Sequence, residues 1–151
     1  MDNTAMHYAL LHNYLGFEEI AGSAFQTIAR SQATTAGATI VDEEVVAVAG
    51  IRGSFSVTTA DTETTADFLI LTEGRKAPLA ESIGVDMSDS GVTVDRDGRT
   101  SVDGVYVVGR SARPTRSQAI ISAGDGATAA LDILAIEAGK DVQDWDSPPK
   151  E

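Results

Sequence analysis

The sequence predicts an α/β fold with a central parallel sheet and a small antiparallel β insertion. Two largely apolar runs, residues 66–72 and 105–108, are typical of parallel strands that are covered on both faces. A long alanine-rich stretch at residues 118–138 follows the second run and has the length of a helix. Phe55, Val57 and Thr59 alternate along one face and predict a half-buried strand in an antiparallel insertion at residues 45–57.

The first third of the chain predicts one helix and then short strands. Residues 6–15 form a short apolar and aromatic segment that Gly16 closes. Ser23 has the side chain of a helix N-cap, and the helix that it begins ends at Gly37. The strands predicted before the first parallel strand occupy residues 39–41, 45–49 and 55–59.

The second half of the chain alternates strands with helices. A short helix is predicted at residues 78–83, and a strand at residues 91–94 runs into a turn. The strand at residues 105–108 stops at Gly109, and Gly139 ends the last helix. We expect one domain at residues 1–140 and a flexible acidic tail at residues 141–151.

The charge balance restricts the surroundings and partners of the protein. With 23 acidic and 11 basic residues, the net charge is −12, which disfavours binding to nucleic acid or to an anionic membrane. Scattered acids that repel one another suit a salt-adapted cytoplasm, the alternative being an ordinary acidic protein kept soluble by charge. No basic leader is present and no apolar run approaches the ~20 residues of a membrane span, so we expect a cytoplasmic protein.

The sequence predicts neither a catalytic residue nor a metal site. The absence of cysteine excludes a C-x-x-C pair and a thiol nucleophile in this chain. His7 and His12 are five residues apart and do not share a helical face. Asp95 opens a run that resembles a calcium loop but lacks its later ligands, and Arg113 replaces the second glycine of a nucleophile elbow around Ser111.

Two glycines interrupt the early part of the last predicted helix. Gly124 and Gly126 each cost about 1 kcal/mol relative to alanine at a mid-helix position, so something is expected to approach the backbone there. One interpretation is tight packing of the helix on the sheet. The other is a cofactor that lies over the N-terminus of the helix. The residues alone do not decide between them.

Three segments resemble one family. TSVDGVYVVG (residues 100–109), continued by residues 118–130, resembles the C-terminal flavin-binding signature of thioredoxin reductase-like NAD(P)/FAD-dependent oxidoreductases. LHNYLGF (residues 11–17) resembles the segment under the flavin ring, and ADFLILTEG (residues 66–74) resembles a strand and turn of that family. The resemblance, to a compact haloarchaeal-type member, implies a partial FAD-binding Rossmann-like domain, FAD as cofactor and NAD(P)H as an electron donor.

The resemblance also implies cofactor-binding residues. Asn13 would face the flavin, the alternative for this residue being simple capping of a helix end. Gly74 would make a tight turn near the adenine, and Gly109 would bring backbone close to the ribityl or phosphate groups. Gln118 and Ala119 would offer backbone groups to the pyrimidine edge of the flavin.

The chain departs from the family pattern at several points. No strand followed by G-x-G-x-x-G is present, Arg110 replaces an aspartate that accepts sugar hydroxyls and would now reach a phosphate or solvent, and Glu73 replaces a threonine. One expectation is an N-terminally incomplete FAD-dependent oxidoreductase with an unknown small-molecule or protein redox partner. The alternative is a non-catalytic paralogue that serves as an interaction or regulatory module. An incomplete sheet edge would allow homo-oligomers in either case.

Overall fold

The protein is described here by a computed structural model that covers residues 4–142. The chain divides into two compact units, one ending at Glu44 and one beginning at Val45, and each is described separately. Most of the predicted tail at residues 141–151 lies outside the described residues.

The first unit is a hairpin followed by a helix. Strands β1 (Leu10–Leu11) and β2 (Ile20–Ala21) pair antiparallel, and β2 continues directly into α1 (Gly22–Thr35). The expected N-cap at Ser23 is wrong, because the helix already begins at Gly22, with Ala21 at the cap position. Gly22 is fixed there by contact with the chain before it: its N–H donates to the Ala9 carbonyl oxygen (2.8 Å).

The second unit opens with the predicted antiparallel insertion. Strands β3 (Ala47–Ala49), β4 (Phe55–Thr58) and β5 (Glu63–Ala66) form a three-stranded meander. The sequence missed β5, since its polar residues resemble a turn; Ser56 Oγ on β4 donates to Glu63 Oε1 on β5 (2.6 Å). The strand predicted at residues 39–41 is wrong: these residues pair with no strand in the described chain, and Val41 is exposed.

The parallel pair follows the insertion. Strands β6 (Leu69–Leu71) and β9 (Val105–Val107) pair in parallel with Leu71 opposite Val107. Between them lie helix α2 (Pro78–Ser82) and an antiparallel hairpin of β7 (Met87–Ser88) and β8 (Gly91–Val92). All three residues of β9 are buried, as predicted. The expectation that residues 66–72 are covered on both faces is wrong, because Ile70 is 41% exposed.

Helix α3 (Ala119–Ala138) packs along the parallel pair and confirms the predicted last helix. Gly139 ends it with a left-handed backbone (φ 65°). Of the described helices, α3 is long and apolar enough to span a bilayer by length and composition, which corrects the expectation that no apolar run approaches that length. Its carboxylates Asp125 and Asp132 form ion pairs with Arg113 and Arg99 within the second unit.

Candidate functional site

The carboxyl ends of the two parallel strands form one edge of the second unit. Because β6 and β9 run in the same direction, the loops that follow them leave side by side, and the Val108 N–H donates to the Leu71 carbonyl oxygen (3.2 Å) at this edge. Gly74 follows β6 and Gly109 follows β9. Ligands of open α/β sheets bind at such an edge.

Gly109 lies where the loop after β9 contacts α3. Its φ is +64°, and a Cβ at this position would lie 2.9 Å from Ser122 Oγ, so a larger residue would push the loop away from the helix. The Gly109 N–H donates to Asp125 Oδ2 (3.2 Å), and Arg113 forms an ion pair with the same carboxylate oxygen. Asp125 and Arg113 were not among the predicted site residues, although Asp125 lies within the G-D-G triplet of the signature.

The N-terminus of α3 is at this same edge. Gln118 is the N-cap residue, with extended backbone and no side-chain hydrogen bond to the helix, and Ala119 is the first helical residue. The first N–H groups of a helix need acceptors from outside the helix, and the dipole favours negative charge there. The arrangement therefore suits the acceptor oxygens of a ligand.

Gly124 and Gly126 border open space. A Cβ added at either glycine would meet no atom within 4 Å outside the helix's own backbone, so the expectation of tight packing on the sheet is wrong for the described chain. Each glycine lies about 100° around the helix from Asp125, on opposite sides. Since Asp125 faces Gly109, the two glycines flank the face of α3 that contacts the sheet.

Gly74 makes the turn after β6 with a φ of +87° and with no atom within 4 Å of an added Cβ. The neighbouring Glu73 has a structural role, because its carboxylate oxygens accept hydrogen bonds from the N–H groups of Leu79 (2.6 Å) and Ala80 (2.9 Å) in α2. A threonine at this position could not span both amides. The Glu73 carboxylate, which stands where the family pattern has a threonine, thus anchors the start of α2.

Asn13 belongs to the first unit and is described with that unit alone. It lies in the exposed loop between β1 and β2, so the alternative that it caps a helix end is wrong. The ring of Tyr14 packs 4.7 Å from that of Phe25, and Gly16 turns the loop with a φ of +101°. These contacts hold the loop that presents Asn13.

A polar network joins α3 to β9. Asp132 on α3 accepts two hydrogen bonds from Arg99 (2.5 and 2.6 Å) and a third from the Tyr106 hydroxyl (2.6 Å). These hydrogen bonds hold the pKa of Asp132 below its ordinary value, and those from Arg99 contribute most to the shift. Burial, followed by the bond to Asp132, raises the pKa of Tyr106 to about 12. The network fixes α3 on the sheet.

The structure places Ser111 away from solvent. It ends the 3-10 turn Gly109–Ser111 and is 1% exposed, and its Oγ has no hydrogen-bond partner in the described part of the chain. A nucleophile has to reach its substrate, so a buried hydroxyl does not serve as one. Asp95 Oδ1 accepts hydrogen bonds from the N–H groups of Asp97 and Arg99, which is the geometry of a turn.

Parallel strands whose carboxyl ends meet the start of a helix define a Rossmann-like α/β domain. The profile of the pyridine nucleotide-disulphide oxidoreductase family matches residues 7–127, more than half of the chain. The chain belongs to this family, and its fold is similar to that of thioredoxin reductases.

Solved structures share the fold at low sequence identity. The thioredoxin reductase of T. acidophilum matches with a TM-score of 0.79 and 15% identity, over 88% of this chain and 86% of that chain. The thioredoxin reductase of Gloeobacter violaceus matches with a TM-score of 0.83 and 18% identity, over 95% of this chain and 87% of that chain. The ferredoxin-flavin thioredoxin reductase of Clostridium acetobutylicum matches with a TM-score of 0.80 and 15% identity, over 91% of this chain and 87% of that chain. No curated protein matches.

Proposed function

We propose that the chain is an FAD-dependent oxidoreductase domain, with residues 1–140 as the part that serves the cofactor. The observation that carries the proposal is the open space beside Gly124 and Gly126, next to an α3 N-terminus without a side-chain cap. Family membership supports the same interpretation. When bound, the flavin supplies the electron transfer, and NAD(P)H is the proposed donor.

The chain's own residues would hold and orient the cofactor. Gln118 and Ala119 donate backbone N–H groups to its acceptor atoms, and Gly74 and Gly109 let the backbone approach it closely. Arg110 supplies a positive charge, and the role of Asn13, which belongs to the first unit, stays an expectation from the resemblance. We assign no acid, base or nucleophile, and with no cysteine this chain cannot form a disulphide of its own.

Titration with FAD tests the proposal. We expect saturable 1:1 quenching of flavin fluorescence when the full chain is added to FAD, and a yellow protein after gel filtration. Free tryptophan at matched concentration controls for inner-filter effects. A folded chain, verified by circular dichroism, that leaves the fluorescence of FAD unchanged at 100 μM protein (about a hundred times a 1 μM Kd) contradicts the proposal.

A second candidate, the non-catalytic interaction module, is favoured by Ile70. This side chain is 41% exposed in the middle of β6, and β6 pairs only with β9 among the described strands. An exposed strand edge is a site for pairing with another chain, including a second copy. Light scattering of the FAD-free protein separates the two: a dimer that Ile70→Lys dissociates, together with no flavin binding, favours the module.

We also propose that the protein works in a salt-rich cytoplasm. With a net charge of −12, repulsion between carboxylates destabilises the folded chain until salt screens it, since the screening length falls to about 3 Å at 1 M. We therefore expect the melting temperature to rise continuously from 0.1 to 2 M KCl. A melting temperature that is flat or falls over this range contradicts salt adaptation and leaves the ordinary acidic protein.

A further inference from the structure

The basic side chains of residues 4–142 divide into two groups. Five of them lie within 4 Å of a carboxylate and form ion pairs: Arg30, Arg52, Arg96, Arg99 and Arg113. The others form no ion pair within the described chain: Arg75, Lys76, Arg110, Arg116 and Lys140. Four of these five occur in just two loops, which is a marked asymmetry in so acidic a protein.

These two loops leave adjacent parallel strands at the same edge. Arg75 and Lys76 follow β6, and Arg110 and Arg116 follow β9, where Leu71 is opposite Val107. All four side chains are exposed. We call these four residues the cationic edge.

The carboxylates of these segments are already engaged. Glu73 accepts two backbone hydrogen bonds from α2, and Asp125 is bound by Arg113 and the Gly109 N–H. Neither carboxylate forms an ion pair with a side chain of the cationic edge. The positive charges of the edge are therefore left to solvent or to an anion from outside the chain.

The chemistry of the edge favours a phosphate group over other anions. Guanidinium groups bind phosphate oxygens with two parallel hydrogen bonds, and a helix N-terminus adds N–H donors. The first helical residue, Ala119, follows Arg116 by three positions, and α3 has no side-chain cap. An anionic macromolecule fits less well, because the net charge of −12 repels it.

We propose that the cationic edge binds a phosphate anion, as carried by the diphosphate of a dinucleotide. The cationic edge would bind phosphate oxygens through side-chain charges, whereas a glycine-rich turn binds them through backbone N–H groups. Two dinucleotides could supply this anion: FAD and a nicotinamide dinucleotide. The proposal rests on the proposed function only where FAD is the source.

Inorganic pyrophosphate is the probe, titrated into the full chain by calorimetry at the lowest salt that keeps the chain folded. We expect 1:1 binding that weakens at least tenfold in Arg110→Gln and in the double variant Arg75→Gln/Lys76→Gln. Lys140→Gln is the matched control, since this exposed lysine lies about 27 Å along α3 from Ser122. Because the four side chains form no ion pairs, the variants should melt as the parent does.

Three outcomes overturn the proposal: no binding of pyrophosphate at 5 mM, equal weakening by Lys140→Gln, or no weakening by the edge variants. Displacement of pyrophosphate by FAD but not by riboflavin supports it and identifies FAD as the source. Displacement by NADP⁺ or NAD⁺ also supports it and identifies the nicotinamide dinucleotide. The experiment also separates this proposal from the proposed function. If pyrophosphate binds and FAD does not, the proposed function is contradicted and the phosphate site stands. If FAD binds and pyrophosphate does not, only the phosphate site is contradicted.

Discussion

Replacing Asp132 with alanine should lower the free energy of unfolding by about 3 kcal/mol, measured by urea denaturation. The change removes the carboxylate that accepts three hydrogen bonds. The Arg99 guanidinium and the buried Tyr106 hydroxyl then lose their bonds to Asp132. Losing one partner of a buried ion pair costs roughly 3–5 kcal/mol. We take the lower end because the Arg99 side chain is 49% exposed and partly screened by solvent.

Tyr106→Phe is the matched control for this variant. It removes a single hydrogen bond to the Asp132 carboxylate while the ring and the ion pair with Arg99 stay. We expect a loss of about 1.5 kcal/mol, the usual contribution of one hydrogen bond to a charged group. If Asp132→Ala costs no more than Tyr106→Phe, the ion pair with Arg99 adds nothing to the attachment of α3.

The same network predicts how stability depends on pH. The pKa of Asp132 is lower in the folded chain than its ordinary value of 3.8, so its contribution is complete above about pH 4 and is lost as the pH falls further. The pKa of Tyr106 is raised from 10.0 to about 12, so its contribution is complete below pH 10 and is lost between pH 10 and 12. Asp132→Asn should flatten the acid limb of the stability curve, and Tyr106→Phe the alkaline one.

Sequence patterns predicted the elements that carry their own local signal. The buried run of β9 and the helix α3 with Gly139 at its end could be predicted from apolar periodicity and a C-cap glycine. Strand β5 could not, because an exposed strand keeps polar residues and lacks an apolar alternation. The N-cap prediction at Ser23 was wrong because a cap residue is only a preference: α1 follows β2 directly and begins two residues earlier than predicted, with Ala21 at the cap position.

The site was harder to predict than the fold, because its contacts join residues that are distant in sequence. Arg99 and Asp132 are 33 positions apart, and neither residue is part of a local motif that names the other. The loops that carry Arg75 and Arg110 leave the same edge only because β6 pairs in parallel with β9. What the sequence did provide was the signature around Gly109 and Gln118, which identified the loop and helix start that the structure brings together.

The glycines of α3 provide the sharpest test of where the cofactor lies. Gly124→Leu and Gly126→Leu should each stabilise the FAD-free chain by roughly 0.5–1 kcal/mol, because each replaces glycine in a helix and the added Cβ meets no neighbour within 4 Å. A flavin that lies along one flank of α3 would collide with only one of the two leucines. We expect that variant to lose at least a hundredfold in FAD affinity while the other stays within threefold of the parent, measured by fluorescence titration.

The pair of variants controls itself, because both add the same side chain to the same helix on opposite flanks. Loss of binding therefore cannot come from unfolding, since both chains should melt higher than the parent. The glycines would then be retained against helix propensity for the space they leave, as a ligand surface requires and a packed core does not. Unchanged FAD affinity in both leucine variants would remove α3 from the cofactor site and leave these glycines without a role in binding.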